Sequence, residues 1–386
     1  MFIFGWLLFV GGCIGNTALL IFHCNWWYGV PVNHRLLTPV RFVHGLLVLA
    51  IPWSWWHYFG WDGTGPGNLR PEQLVQDWVG GYLLFCSAIG VILFPIITVR
   101  RNLRRANVLL QNHTGTLDVA AKLGYKPIGK GKYRWLVHLP KNDVFQVDFS
   151  EKTLRLPKLP TAWDGISIVQ LTDFHLHGTP DREFYEQIMD ACHAWDPDIV
   201  AITGDIVDTR NHHSWIVPLF SLLRWRVAAW AVLGNHDSWY HPEEIRRLLR
   251  QSGIDVLGNC WKPVEIRGEP LVVIGNENPW MRPVPDLSDC PKDVFRLCLS
   301  HTPDNIRWAQ KNRVDLMLSG HNHGGQVRLP VIGPILVPSC YSRRYDGGTY
   351  EEDSTVLHVC RGLSAQHPLR YNCRPEVTKI ILRCAG

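Results

Sequence analysis

Residues 232–237 read Val-Leu-Gly-Asn-His-Asp, and they close an apolar run that begins at residue 227. A continuous apolar run of this length, bounded by polar turns, is typical of a strand buried on both faces. The glycine lets the backbone turn, so Asn235, His236 and Asp237 are presented together after the strand. Alone, the stretch predicts only a strand followed by a polar turn.

Four other apolar runs end in the same way, at turns that carry carboxylate and imidazole side chains. They occupy residues 166–171, 199–203, 295–299 and 314–318, and their turns supply Asp173 with His175, Asp205 with Asp208, His301, and His321 with His323. Ligands gather at the carboxyl ends of the strands in open α/β sheets, so we expect the five turns to converge on one rim. Helical segments alternate with the strands, which predicts an α/β sandwich.

The predicted rim has the chemistry of a metal site. Carboxylates and imidazoles crowded together out of water are unfavourable unless a cation lies among them. No cysteine belongs to the set, and mixed histidine and carboxylate ligands suit Mn, Fe, Zn or Co. The predicted ligands outnumber those that one ion needs, which indicates two metal ions.

The order of the turns carries a family resemblance. Asp-x-His, Gly-Asp-x-x-Asp, Gly-Asn-His-Asp, a later His and Gly-His-x-His resemble the motifs of the calcineurin-like metallophosphoesterases, from about residue 145 to residue 383. The resemblance implies a four-layer α-β-β-α sandwich. The stretch Gly-His-Asn-His-Gly-Gly-Gln, followed by Arg-Leu-Pro and later by Arg361-Gly-Leu, is similar to the membrane-associated branch without a cap domain. That branch includes UDP-diacylglucosamine pyrophosphatase-like proteins.

The resemblance also implies a role for each side chain. One ion would be held by Asp173, His175, Asp205 and His323, and the other by Asp205, Asn235, His301 and His321, with Asp205 shared. The candidate ions are Mn, Fe, Zn and Mg, and such a pair activates a water for attack on phosphorus. His236 would protonate the leaving oxygen, and Asp237 would orient His236. Asp208 is expected either to support a ligand or to be a simple turn acid.

The first hundred residues differ from the rest, because they carry few charges and many Trp, Phe and Leu residues. Uncharged stretches lie at residues 2–22, 42–59 and 78–99. About 20 apolar residues suffice to cross a bilayer as a helix, and tryptophans cluster near the ends as in an aromatic belt. The alternatives are a buried soluble helix for the second stretch and a cleaved signal peptide for the first.

Arginines near the apolar stretches predict the orientation. Arg100, Arg101, Arg104 and Arg105 follow the third stretch, and Arg35 and Arg41 follow the first. Lys and Arg favour the cytoplasmic side, so the amino terminus is expected outside and the catalytic domain in the cytoplasm. Eleven scattered cysteines without a paired pattern agree with a reducing compartment. We therefore expect a membrane region at 1–105, a linker at 106–132 and a catalytic domain at 133–386. A short helix is expected over residues 106–123, and the catalytic domain is expected to begin with a hairpin formed by residues 133–139 and 144–149.

The functional prediction combines these features. The net charge of +5 is mild and no Lys/Arg tract points to nucleic acid, so nucleic acid is not an expected partner. The short gaps after Asp208 and Asp237 leave no room for a large cap, so the metal centre should be open. A membrane-anchored open site fits cleavage of the pyrophosphate in a nucleotide-linked lipid such as UDP-diacylglucosamine, a lipid A precursor. The alternatives are a general phosphodiesterase of nucleotides or glycerophosphodiesters and a non-catalytic, metal-bound membrane module. The oligomeric state is not predicted.

Overall fold

The computed structural model describes residues 2–32, 34–60, 66, 69 and 71–384, and the chain packs into two compact units. The first unit contains the chain up to Arg104 together with the segment Pro330–Arg344. The second contains Arg105–Leu329 and the chain from Tyr345 onward. Residues 330–344, expected in the catalytic domain, therefore pack with the amino-terminal unit.

The first unit is helical. Its helices are α1 (Phe2–Gly29), α2 (His34–Gly60), α3 (Pro71–Gln76), α4 (Trp78–Ala88) and α5 (Phe94–Leu103), and the π-helical turn Ile89–Leu93 joins α4 to α5. Three stretches are long and apolar enough to cross a membrane: Ile3–Gly29, Leu36–Phe59 and Trp78–Leu103. They match the apolar stretches expected from the sequence. Arg35 and Arg41, expected in a loop, instead lie within α2, because this helix begins before its uncharged stretch does.

The second unit contains the strands of two sheets and, among its described residues, six further α-helices. The strands are β1 (Leu109–Asp118), β2 (Gln146–Leu156), β3 (Ser167–Leu171), β4 (Ile199–Thr203), β5 (Ala228–Val232), β6 (Asp255–Val256), β7 (Trp261–Ile266), β8 (Glu269–Asn276), β9 (Phe295–Ser300), β10 (Leu316–Ser319), β11 (Gly348–Glu352), β12 (Thr355–Val359) and β13 (Glu376–Cys384). The helices among its described residues are α6 (Val119–Leu123), α7 (Arg182–His193), α8 (Ile216–Phe220), α9 (Asn235–Trp239), α10 (Pro242–Gln251) and α11 (Ile306–Lys311). The two-residue strands Arg328–Leu329 and Gly333–Pro334 lie outside these sheets.

The strand order brings the predicted turns to one edge. One sheet has the order β1-β2-β13-β3-β4-β5-β6, and the other has the order β11-β12-β10-β9-β8-β7. Strands β3, β4 and β5 are parallel, with Ile168 opposite Ile199 and Ile199 opposite Ala228. Strands β8, β9, β10 and β12 are also parallel. Each set therefore presents its carboxyl ends together.

Alternate residues of the seven-stranded sheet face two cores, as the period of a strand requires. Val169 and Leu171 share one core with residues of α7, α8 and α10, such as Phe184. Ile168 and Trp230 share the other core with the second sheet. Helix α11 contacts β12 of that second sheet. The predicted four-layer α-β-β-α sandwich, preceded by apolar helices, is confirmed.

Two local expectations are wrong. Residues 106–123, expected to include a helix, form strand β1 and only then the short helix α6. Residues 133–139, expected as the first strand of a hairpin, form the 3-10 helix Arg134–His138, and β2 pairs instead with β1 and β13. Residues 106–132 therefore hold an edge strand and belong to the second unit. The division into a membrane region, a linker and a catalytic domain stays a prediction.

Candidate metal centre

The turns after β3, β4, β5, β9 and β10 meet at one edge of the second unit. Among the described residues, three groups have ligand atoms within 4.8 Å of one another: Asp173, His175 and His323; His175, Asp208 and His236; and Asp205, His301 and His321. The amide oxygen Oδ1 of Asn235 lies 3.1 Å from Nε2 of His301. The structure thus brings together all seven side chains that were predicted as metal ligands.

The first group surrounds Oδ1 of Asp173. Nε2 of His175 lies 3.8 Å from this oxygen, and Nε2 of His323 lies 3.7 Å from it. These separations exceed the 2.7–3.2 Å of ordinary hydrogen bonds. Nε2 of His175 is buried and has no hydrogen-bond partner in the structure. Nitrogen and oxygen atoms that face one another at this spacing suit coordination of an ion between them.

Asp205, which is grouped with His301 and His321, also lies close to the first group. Its Oδ2 is 3.5 Å from Nε2 of His175 and 3.3 Å from Nε2 of His301. Nδ1 of His321 lies 3.1 Å from the same nitrogen of His301, and Nε2 of His321 is buried without a partner. Asp205 therefore occupies the position from which one carboxylate reaches both groups, as the predicted bridging ligand must.

Hydrogen bonds to the other ring nitrogen fix the orientation of three imidazoles. Nδ1 of His175 contacts Oδ1 of Asp208 at 2.8 Å, Nδ1 of His301 contacts the carbonyl oxygen of Thr203 at 2.7 Å, and Nδ1 of His323 contacts the carbonyl oxygen of Ser364 at 3.1 Å. Each contact turns Nε2 toward the carboxylates. Partners of this kind are the usual supports of metal-binding histidines.

The backbone of the site is strained. The residues in the left-handed region are Asp173 (φ 54°), His175 (45°), Asp205 (53°), His321 (68°) and His323 (49°). This conformation costs a non-glycine residue on the order of 1–3 kcal/mol and is concentrated at functional sites. Gly234 permits the close approach of two turns, because a Cβ atom there would lie 2.1 Å from Oδ1 of Asp205.

The electrostatics of the cluster favour added positive charge. Burial alone would lower the pKa of His301, but the charge of Asp205 raises it to about 9. Burial opposes ionisation of Asp205, yet the histidines around it, His301 first, hold its pKa well below the usual value. Burial lowers the pKa of His323 to about 3, so this ring is neutral, as a ligand must be. The donor set, the spacing and the unpartnered nitrogens fit divalent metal ions.

Comparison with known proteins agrees with this geometry. A model of the calcineurin-like phosphoesterase family matches residues 166–325. The uncharacterized metallophosphoesterase YkuE of Bacillus subtilis is 32% identical over 246 residues, which cover 61% of this chain and 86% of YkuE. The chain belongs to the calcineurin-like phosphoesterases.

Two further relatives of this phosphoesterase carry membrane or lipid names. UDP-2,3-diacylglucosamine pyrophosphatase LpxG of Chlamydia muridarum is 23% identical over 314 residues, which cover 65% of this chain and 92% of LpxG. A transmembrane protein with a metallophosphoesterase domain from Danio rerio is 27% identical over 250 residues, covering 59% of this chain and 55% of that protein. The metallophosphoesterase class predicted from the motifs is confirmed.

The side chain that orients His236 is not the one predicted. Nδ1 of His236 contacts Oδ1 of Asp208 at 2.6 Å, whereas the carboxylate of Asp237 accepts hydrogen bonds from the backbone of Ile206, Val207 and Gly234. The expectation for Asp237 is therefore wrong, because its side chain turns inward and ties two ligand turns together. Burial first and the charge of Asp205 second raise the pKa of Asp237 to about 7.

The pair formed by Asp208 and His236 is suited to proton donation. Burial alone would raise the pKa of Asp208, but the charges of His175 and His236 hold it well below the usual value, so this carboxyl stays ionised. Burial lowers the pKa of His236, yet Asp208 and then Asp205 raise it above its ordinary value. The His236 side chain is 14% exposed. A raised pKa favours the protonated imidazole, and together with partial exposure it meets the requirements of a general acid.

The buried side chain of Arg370 holds the backbone of the turn that contains His323, and it does not face a substrate. Its guanidinium donates to the carbonyl oxygens of His323 at 2.8 Å, Ser364 at 2.7 Å and Arg361 at 3.0 Å, and the residue is 1% exposed. Its burial excludes both contact with a substrate phosphate and a surface salt bridge. Spacing along the sequence gives no sign of this role.

Two tryptophans flank the imidazoles, and sequence reasoning missed both. The ring of Trp239 lies 4.6 Å from that of His236 and is 37% exposed, and the ring of Trp280 lies 4.8 Å from that of His321. Trp239 could have been noticed, because it follows His236 by three residues, about one turn of α9. Trp280 lies on the connection after β8, where no motif marks it.

Proposed function

We propose that this phosphoesterase is anchored in a membrane, holds two divalent metal ions and hydrolyses a phosphodiester or pyrophosphate bond in a nucleotide-linked lipid. The ligands would be Asp173, His175, Asp205, Asn235, His301, His321 and His323. One observation carries the proposal: Oδ2 of Asp205 lies near Nε2 of His175 in one ligand group and near Nε2 of His301 in its own group, and the Asp208–His236 pair lies beside them. This arrangement matches the requirements of phosphoryl transfer to water with a protonated leaving group.

The residues of the chain have separate tasks in the proposed reaction. When bound, the ions would supply Lewis-acid chemistry that polarises the phosphoryl group and makes a water more acidic. Asp208 engages Nδ1 of His236, so Nε2 is the nitrogen available to give a proton to the leaving oxygen. Asp237 keeps the turns after β4 and β5 together, which maintains the distance between Asp205 and His236.

The lipid part of the proposal is supported by the amino-terminal unit and by one relative. Three helices have the length and composition of membrane spans, and LpxG, named for a diacylglucosamine substrate, is matched over 92% of its length. We propose a membrane placement with the catalytic site on the cytoplasmic side, because Arg100 and Arg101 lie in the last turn of the third span. Mn, Fe, Zn and Mg are the candidate ions.

A substrate panel with the full chain in lipid nanodiscs tests the proposal. It contains UDP-2,3-diacylglucosamine, a cyclic nucleotide, a glycerophosphodiester and bis(p-nitrophenyl) phosphate, each with Mn, Mg, Zn or Fe. We expect the highest kcat/KM for the nucleotide-linked lipid, with release of a nucleoside monophosphate. Asp205→Asn should lose metal and activity on every substrate.

Two results would overturn separate parts of the proposal. If the cyclic nucleotide or the glycerophosphodiester is the better substrate, the lipid assignment is wrong and the general phosphodiesterase alternative holds. If Asp205→Asn keeps its full metal content, as measured by elemental analysis of the purified protein, the bridging assignment is wrong.

A further inference from the structure

The segment Pro330–Arg344 is held by the helical unit through a buried asparagine. Nδ2 of Asn25 donates to the carbonyl oxygen of Ile335 at 3.1 Å and to Oγ of Ser342 at 2.9 Å, and Oδ1 accepts from the backbone of Val337 at 3.0 Å. Asn25 is 2% exposed. A buried amide satisfied at three points fixes the register of the segment against the end of α1.

The same segment lies along the end of α5. Nδ2 of Asn102 donates to the carbonyl oxygen of Val331 at 2.9 Å, and the guanidinium of Arg343 stacks over the ring of Phe94 at 5.1 Å. Gly333 allows a close approach here, because a Cβ atom on it would lie 2.3 Å from Nη1 of Arg101. At the helical rise, residues 94–102 extend over about 12 Å. This length is sufficient to cross the polar interfacial layer of one leaflet.

The outer side of the segment combines apolar and cationic residues. Val331 is 79% exposed and Leu336 is 51% exposed. Arg344 is exposed and Arg343 is half-buried. The neighbouring end of α5 adds Arg100 and Arg101. Apolar side chains next to arginines at the end of a membrane span are typical of surfaces that enter the head-group region of a bilayer.

We propose that residues 330–344 form an interfacial segment, which inserts Val331 and Leu336 at the level of the lipid head groups and binds anionic lipid phosphates through Arg343 and Arg344. The inference rests on the membrane placement proposed above for the helices. It adds that a part of the chain following the ligand turn at His321 and His323 lies in the membrane surface.

Photocrosslinking in nanodiscs tests the inference. We replace one exposed valine at a time with p-benzoylphenylalanine in the full chain: Val331 in the segment, Val91 in the middle of the third span, and Val284 on the second unit. The last two are 57% and 48% exposed in the structure. After irradiation, lipid adducts at each position are counted by mass spectrometry. We expect adducts at 331 and 91 and background at 284.

The two controls separate the possible failures. Adducts at 91 with only background at 331 would overturn the interfacial segment and leave the membrane placement intact. Background at 91 would overturn the membrane placement, and the inference would fall with it. Adducts at 284 equal to those at 331 would also overturn the inference, because the crosslinking would then not depend on the segment.

A charge substitution tests the anionic preference. In nanodiscs with equal amounts of phosphatidylglycerol and phosphatidylcholine, we expect the adduct at 331 to favour phosphatidylglycerol by roughly two- to fivefold. Arg344→Gln should reduce that preference, whereas Arg250→Gln, on an exposed arginine of α10, should leave it unchanged. Equal labelling of both lipids by the unaltered segment would refute phosphate binding by the arginines.

Discussion

Asp208 connects two histidines that have different tasks. Its Oδ1 lies 2.8 Å from Nδ1 of His175, a predicted ligand, and 2.6 Å from Nδ1 of His236, the predicted acid. A carboxylate that supports two rings at once should affect metal binding and protonation of the leaving group together. The two effects can be separated by changing the leaving group and by measuring metal affinity directly.

We predict that His236→Ala retains its metal ions but hydrolyses esters with poor leaving groups on the order of 10²–10⁴-fold more slowly. The loss should shrink with a p-nitrophenyl ester, whose leaving oxygen needs no proton. Asp208→Asn should show the same leaving-group dependence and, in addition, bind metal about 10–100-fold more weakly. The measurements are kcat with both esters and a metal titration by competition with a chromogenic chelator.

The control for this pair is Asp190→Asn, which changes an exposed acid on α7. It should change neither measurement. An equal loss of rate with both esters in His236→Ala would contradict the assignment of His236, and unchanged metal affinity in Asp208→Asn would contradict the support of His175.

Arg370 is expected to position the turn that contains His323. Among the described residues no carboxylate pairs with this buried cation, which is satisfied by backbone oxygens. Arg370→Met would remove the charged donor from the carbonyl oxygens of His323 and Ser364. A hydrogen bond to a charged group contributes about 1.5–3 kcal/mol. We predict a lower unfolding midpoint and weaker metal binding by about 10–100-fold. Calorimetry with Mn or Zn measures the affinity.

A conservative variant separates positioning from general stability. Arg370→Lys can still reach one of the carbonyl oxygens, so it should recover part of the metal affinity. Arg250→Met, on the exposed side of α10, is the matched control. Metal affinity that is unchanged in Arg370→Met, despite a lower unfolding midpoint, would show that the residue has only a structural role.

At the scale of elements, a buried polar bridge joins the two sheets. Nδ1 of His358 on β12 contacts Oε1 of Gln170 on β3 at 2.7 Å, and Nε2 of Gln170 donates to the carbonyl oxygen of Ser319 at 2.8 Å. His358 is fully buried, and burial lowers its pKa from the ordinary 6.5 to about 3. Protonation of this histidine is therefore resisted in the folded state.

Because His358 resists protonation in the folded state, we predict that the free energy of unfolding falls in mild acid. As the pH falls below about 6.5, the unfolded chain binds a proton at His358 while the folded chain does not, so this residue lowers the free energy of unfolding by about 1.4 kcal/mol per pH unit. The effect continues toward pH 3. We predict that His358→Gln, whose amide can still donate to Gln170, flattens this dependence. Unfolding midpoints between pH 8 and pH 5, measured with a chelator present, test it.

The matched control is His113→Gln, since His113 is exposed on β1. Its stability profile should follow that of the unmodified chain. A His358→Gln profile that remains parallel to the unmodified profile between pH 6.5 and pH 5 would show that His358 does not resist protonation.

At the scale of the whole molecule, contacts inside the helical unit indicate on which side of it two helix ends lie. Asn25 near the end of α1 and Asn102 near the end of α5 contact the same segment, Pro330–Arg344. These two helix ends therefore lie on the same side of the unit. If all three apolar helices cross a membrane, this arrangement is consistent with the odd number of crossings that the proposed orientation requires.

We predict that a reporter phosphatase that functions only outside the cytoplasm is inactive when it is fused to the carboxyl terminus. The arginines after α5 are costly to move through a bilayer, which is the physical reason for retention inside. The same reporter should be active when fused after α2 and inactive when fused after Arg105. High activity of the carboxyl-terminal fusion would contradict the orientation and the proposed access to a cytoplasmic lipid precursor.

The sequence by itself determined the parts of this protein that depend on local pattern. Continuous apolar runs are buried wherever they lie in a parallel sheet, so β3, β4, β5, β9 and β10 and the turns after them were predictable. The resemblance of the motifs after these strands to the calcineurin-like metallophosphoesterases then implied the seven candidate ligands. The apolar helices were predictable for the same reason, because length and composition alone define a possible membrane span.

Only the tertiary structure decided features that depend on residues distant in sequence. β1 is polar and largely exposed, and it is a strand because β2 supplies its backbone partners. Asp237 and Asp208 are both acids near His236, and the path of the backbone determines which carboxylate contacts the ring. Arg370 and the segment Pro330–Arg344 follow the same principle. Their surroundings come from separate parts of the chain, and those contacts, which local sequence does not encode, determine what they do.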